Sequence, residues 1–214
     1  MEKELEIHLD QLIERYPQLI VCREEIIEAY EILEYAYNHG RKLLVSGNGG
    51  SASDSEHIVG ELMKEFRLKR KVYANQAEAL RQIDTEMGKV LAEDLQGALP
   101  AICLTGHSAL STAFMNDSNA DLIFAQQING YGKPGDVYLG ISTSGNSKNV
   151  LYAAITAKSK GLKVIGLTGA KDNKLMTFAD VCIRVPEFET YKIQELHLPV
   201  YHCLCLMLEE KFFG

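Results

Sequence analysis

Apolar residues form a rough face through Leu5, Ile7, Leu9, Leu12 and Ile13, and recur at spacings of three and four through Ile26, Ile27, Tyr30, Leu33 and Tyr37. That period predicts helix over residues 2–39, in two pieces split at Pro17. Asn38-His39-Gly40 is a helix stop. The pattern then changes. Short continuous apolar runs at Leu43–Val45, Ala101–Thr105, Asp136–Ser142, Lys163–Thr168 and Val181–Val185 read as five buried strands. The segments between them read as helices: about Ser51–Lys69, Asn75–Leu95, 108–131 with a break at 116–119, Ser147 to about Lys160, and a short one near 172–178. A last helix spans about Thr190–Phe212, with Pro199 expected to kink it.

Strands that alternate with helices and are apolar throughout imply an α/β fold, a parallel sheet covered on both faces. In such sheets ligands bind at the carboxyl ends of the strands. Two polar loops fall there, 46–51 and 142–147. The chain has 214 residues and shows no internal repeat, low-complexity tract or dividing linker, so a single domain over 1–214 is expected.

The balance of 22 Lys+Arg against 29 Asp+Glu gives a net charge of −7, which argues against the broad basic field of non-specific nucleic-acid binding. No run approaches the roughly 20 apolar residues of a membrane span. The charged start MEKELEIHLD does not read as a signal peptide. The five cysteines form no CxxC pair and sit in apolar surroundings, so reduced thiols and a cytoplasmic setting are expected.

Ser142-Thr143-Ser144-Gly145-Asn146-Ser147 places four hydroxyls at the start of a helix. Unpaired N–H groups and the positive end of the helix dipole lie there, so the loop suits a phosphate dianion. Capping needs only one hydroxyl. Gly47-Asn48-Gly49-Gly50-Ser51 lets a backbone turn sharply against a ligand, and a plain tight turn reads equally well. It is not GxGxxG, and no acidic residue ends the next strand, so no nucleotide cofactor is expected. His57 and Glu61, spaced i, i+4, share a helix face, where they suit acid–base chemistry, metal ligation or a solvated surface pair. The last helix carries Gln194, Glu195, His197 and His202. At about 100° per residue, Gln194 lies about 80° from His202 and about 60° from His197 on the other side, so geometry does not choose between the histidines.

Taken together and in order, several of these motifs resemble the phosphoheptose isomerases, a family within the sugar isomerase (SIS) fold. They are Ser46–Ser51, Asp54, His57 and Glu61, then Gly140–Ser147, Ile165–Gly169, Thr190, Ile193-Gln194-Glu195 and His202. The likeness covers about residues 40–212. It implies a three-layer α/β/α fold with a five-stranded parallel sheet, and a homotetramer with sites between subunits in which the N-terminal helices take part. It implies phosphate and substrate contacts from Asn48, Gly49, Ser51, Ser142, Thr143, Ser144, Ser147, Thr190 and Gln194. Glu61 matches the family's base and His202 its acid, while His57, Glu61, Gln194 and His202 match its zinc ligands. The implied reaction converts sedoheptulose 7-phosphate to D-glycero-D-manno-heptose 7-phosphate through an enediol. A related SIS protein that associates with the bacterial replication initiator lacks counterparts of Glu61 and His202. The alternatives are a non-catalytic phosphosugar-binding or initiator-associating regulator, and an isomerase of another sugar phosphate. Three features depart from the family: an extra stretch at about 71–97, His107 where an acidic residue is usual, and Glu65 where a basic one is.

Overall fold

The computed structural model describes residues 3–214; the first residue of the expected N-terminal helix lies outside them. Five strands form one parallel sheet: β1 (Leu43–Ser46), β2 (Ala101–Cys103), β3 (Val137–Ile141), β4 (Lys163–Gly169) and β5 (Val181–Val185). Their order is β2-β1-β3-β4-β5, with Val45 opposite Cys103 on one side and Leu139 on the other. All five expected strands are present, each within a residue or two of its expected ends. β2 stops earlier than expected, and Thr105 uses its hydroxyl to bond Glu56 instead.

Helices α1 (Lys3–Arg15), α2 (Arg23–Asn38), α3 (Gly50–Met63) and α9 (Thr190–Phe213) cover one face of the sheet. A 3₁₀ turn, Pro17–Cys22, joins α1 to α2, as expected for a proline that cannot continue a helix. Helices α6 (Ser108–Asp117), α7 (Ile123–Tyr131) and α8 (Lys148–Ser159) belong to the other side, where α7 and α8 close a second core. Alternation along the strands sorts the two cores. Leu43, Val45, Val137, Leu139 and Ile141 face α2 and α9, whereas Leu44 and Tyr138 face α7 and α8.

Two expectations are corrected. The helix expected to run to Lys69 ends at Met63, because Lys64 is extended and Glu209 accepts the N–H groups of Phe66 and Arg67. The helix expected over 75–95 is two, α4 (Ala74–Ile83) and α5 (Met87–Asp94). Asp84 divides them: its Oδ1 accepts from the N–H groups of Glu86 and Met87, as a cap does. Among the described residues, α4 has no buried side chain and α5 buries only Gly88. The pair stands off as an arm whose base is closed by a bridge between Lys71 and Gln96.

Candidate functional site

The sheet's strand order reverses at β1, with β2 on one side and β3 on the other, and both polar loops leave the carboxyl ends of the β1–β3 pair. A reciprocal amide pair ties them: Asn48 Nδ2 donates to Asn149 Oδ1 (2.9 Å), and Asn149 Nδ2 donates to Asn48 Oδ1 (2.8 Å). Asn149 was not singled out in the sequence, since it follows the hydroxyl run inside an ordinary helix.

In the second loop Ser147 occupies the N-cap of α8, yet its hydroxyl does not cap that helix. It pairs with Ser142 Oγ at 3.0 Å. The Val150 N–H donates to Asn149 Oδ1, so the N–H groups of Lys148 and Asn149 are the ones at this helix start that keep their capacity for an anion. Gly145 turns the loop at φ 62, and Asn173 fills the space where a side chain would stand. Thr143 and Ser144 line a cavity of about 230 Å³ together with Gly169, Lys171 and Thr190. Ser51 is buried at the start of α3, behind Gly49 at the N-cap. Gln194 lies across Gly50, where a Cβ would come 2.5 Å from its Nε2.

Farther along α3, two turns from Gly50, His57 Nε2 stands 3.1 Å from Glu61 Oε1. The pair is only half solvated: Glu61 is buried while the His57 side chain is 42% exposed. Glu61 Oε2 has no hydrogen-bond partner, though Lys64 Nζ lies 3.5 Å from it as an ion pair. From α9, the His202 ring meets the His57 ring edge-on at 4.9 Å, and His202 Nε2 is buried without a partner. Burial, with the neighbouring His57, holds the His202 pKa below its ordinary value despite the pull of Glu61. Burial thus favours the uncharged ring. His202 also opens on a cavity of about 390 Å³ between α1 and α9, lined by Gln11, Arg15, Tyr16 and Pro199.

The structure thus brings together His57, Glu61 and His202, and places Gln194 across Gly50 of the glycine loop. His197, the other histidine of α9, is fully buried, and burial lowers its pKa to about 4. It belongs to the interior. His107 precedes α6 with its ring 5.6 Å from that of Tyr131, and the Glu65 N–H donates to Gln96. Asp54 is fixed by Tyr201, whose hydroxyl lies 3.3 Å from Asp54 Oδ1; burial pushes this carboxyl up against the opposing pull of Tyr201 and His57.

The doubly covered parallel sheet with a hydroxyl loop after β3 defines a SIS-domain protein, and a SIS domain family model matches residues 86–169. The phosphoheptose isomerase of Rhodospirillum rubrum is 36% identical over 210 residues, covering 98% of both chains. That of Clostridium acetobutylicum is 37% identical over 191 residues, covering 89% of this chain and 84% of its own. A phosphoheptose isomerase structure from Francisella tularensis superposes with a TM-score of 0.72 at 30% identity, covering 94% of this chain and 98% of that one. GmhA from Neisseria gonorrhoeae gives 0.67 at 29%, covering 92% and 95%. The chain belongs to the phosphoheptose isomerase family.

Proposed function

We propose that this chain is an aldose–ketose isomerase that interconverts sedoheptulose 7-phosphate and D-glycero-D-manno-heptose 7-phosphate. The observation that carries the reading is the Glu61–His57–His202 cluster. It offers a buried carboxylate with one oxygen bonded and one without a hydrogen-bond partner, beside a neutral imidazole, in a chain that also has a hydroxyl loop for phosphate.

The reaction moves one proton between adjacent carbons and shifts the carbonyl. Glu61 takes the proton from the carbon next to the carbonyl. His202, neutral and carrying one N–H, hydrogen-bonds the carbonyl oxygen and passes it a proton as the enediol forms. The reverse transfers at the neighbouring carbon and oxygen complete the exchange. Phosphate held by Ser142, Thr143, Ser144 and Ser147, with Asn48, Gly49, Ser51, Thr190 and Gln194 around it, supplies binding energy remote from the reacting carbons and orients them.

Zinc belongs to this reading. Two imidazoles, a carboxylate and an amide oxygen (His57, His202, Glu61 and Gln194) are suitable donors, and Glu61 Oε2 and His202 Nε2 are buried without hydrogen-bond partners. Among the described residues no three His, Cys, Asp or Glu side chains already stand at metal-ligand spacing, so binding would draw them inward and would take His57 Nε2 from its bond to Glu61, leaving the Nδ1 bond to Tyr201 in place. A bound ion would polarise the substrate carbonyl as a Lewis acid.

The reading includes a homotetramer with sites between subunits. In its support, the serine-loop cavity and the His202 cavity are lined by different residues, and Ile7, Ile20, Val21 and Tyr35 near the N-terminus are exposed. A cytoplasmic setting accords with five free cysteines, and no described helix is long and apolar enough to cross a membrane. A coupled assay for aldose–ketose conversion across C6 and C7 sugar phosphates tests the whole reading. Turnover should be highest on sedoheptulose 7-phosphate. Binding without turnover on any of them would mean a phosphosugar sensor instead.

A further inference from the structure

The acid–base pair has a hidden neighbour. Tyr201 lies on α9 with 2% of its surface exposed, one residue before His202. Its hydroxyl stands 3.0 Å from His57 Nδ1, and its ring meets the His57 ring edge-on with centroids 5.6 Å apart. The same hydroxyl reaches Asp54 Oδ1 at 3.3 Å. The polar atoms therefore run in a line from Asp54 through Tyr201 and His57 to Glu61, joining α3 to α9 twice.

An imidazole held at only one nitrogen can rotate about its χ2 bond, which is broad for an sp² ring. Held at both nitrogens, it cannot rotate without breaking a bond. Two proton arrangements satisfy the line. In one, a protonated Asp54 donates to the Tyr201 oxygen, the Tyr201 O–H donates to Nδ1 and the Nε2–H donates to Glu61. In the other, both ring nitrogens carry protons, Nδ1 donates to the Tyr201 oxygen, and the Tyr201 O–H donates to Asp54. In both, the group on Nε2 points at Glu61 Oε1.

Resting on the isomerase reading above, we propose that Tyr201 is a positioning residue. Its hydroxyl holds the His57 ring so that Nε2 is aimed at Glu61 Oε1, and Glu61 Oε2 is left as the oxygen that takes the substrate's proton. The Lys64 ammonium lies 3.5 Å from Oε2, but its side chain is 59% exposed and its hydrogen bond goes to the Glu65 carbonyl, so it does not occupy Oε2 as a hydrogen-bond donor. Orienting groups of this kind commonly change activity or metal affinity by about 10–100-fold when removed.

Tyr201→Phe removes one oxygen and keeps the ring. The expected result is a kcat lower by about 10–100-fold with KM changed by less than about twofold, because phosphate contacts are untouched. In ¹⁵N-histidine NMR spectra, the wild-type His57 Nδ1 should show a hydrogen-bonded shift that is lost in Tyr201→Phe. An unchanged kcat, or unchanged His57 resonances, overturns the proposal. If Tyr201→Phe folds poorly, the wild-type spectrum decides alone, and a His57 Nδ1 at the free-ring position overturns it. If the wild-type protein turns over no sugar phosphate, the isomerase reading fails, while the NMR comparison still decides whether Tyr201 holds the ring.

Discussion

Arg70 Nε and Glu209 Oε1 lie 2.8 Å apart, and neither side chain is more than 1% exposed. The guanidinium also donates to the carbonyls of Leu62 and Glu61, at the end of α3, while the carboxylate accepts the N–H groups of Phe66 and Arg67. One ion pair therefore terminates the helix that carries Glu61 and anchors the segment after it to α9.

Removing one partner leaves a buried charge uncompensated. Glu209→Gln or Arg70→Met should destabilise the fold by about 3–5 kcal/mol in urea titrations. Burial would raise the Glu209 carboxyl, but the backbone N–H groups and Arg70 outweigh it and hold the pKa below its ordinary value. A carboxyl lowered in the folded state contributes stability that is full above its unfolded value, about 4.3, and is lost as pH falls through the lower folded value. The Glu209→Gln variant should therefore show a shallower loss of stability across that acid range than wild type.

The hydroxyl loop is tested by Ser142→Ala with Ser144→Ala. Each lost bond to a charged phosphate costs about 1.5–3 kcal/mol. Calorimetric affinity for a sugar phosphate should fall accordingly, with an unchanged circular dichroism spectrum. Unaltered affinity would move the phosphate elsewhere.

For the acid–base pair, Glu61→Gln should lower kcat by two to four orders of magnitude, about the contribution of a positioned base, while phosphosugar binding persists. Zinc content measured alongside separates loss of the base from loss of metal. Because His202 is held below its ordinary 6.5, the acid limb of kcat/KM should fall below pH 6.5 rather than near neutrality. A limb at or above pH 6.5 would assign it to another group.

The helical arm is tested by excision. The Gly97 N–H donates to the Arg70 carbonyl at 2.9 Å, and Lys71 bridges Gln96, so the ends of the arm are already side by side. Ile83 is 83% exposed and Met87 67%. Replacing residues 73–94 with a two-glycine turn should leave the melting temperature of the subunit within a few degrees, at about 2–4 °C per kcal/mol lost. Light scattering on the same variant shows whether assembly needs the arm.

The strands were legible because a buried parallel strand has a continuous apolar run, and the two polar loops were legible because they follow such runs directly. The early end of α3 was not, since the group that stops it, Glu209, is 143 residues from Phe66. Nothing near Met63 announces it. The division of α4 from α5 was local, at Asp84, but the Ala, Glu and Leu around it read as one helix. His57, Glu61 and His202 were visible as chemical types, whereas Tyr201 looked like one more apolar residue on a core helix. Asn149 was hidden for the same reason as Glu209: its partner, Asn48, is 101 residues away.

The Asn48–Asn149 pair has a kinetic consequence. Two amide hydrogen bonds tie the glycine turn to the first turn of α8, directly after the serine turn, so lifting either turn away from the other costs both bonds. A phosphate bound there, as proposed above, would meet turns already tied together. Its arrival should be governed by diffusion and by the shape of the entrance, and its departure by the strength of its own bonds rather than by the rate at which a flap lifts.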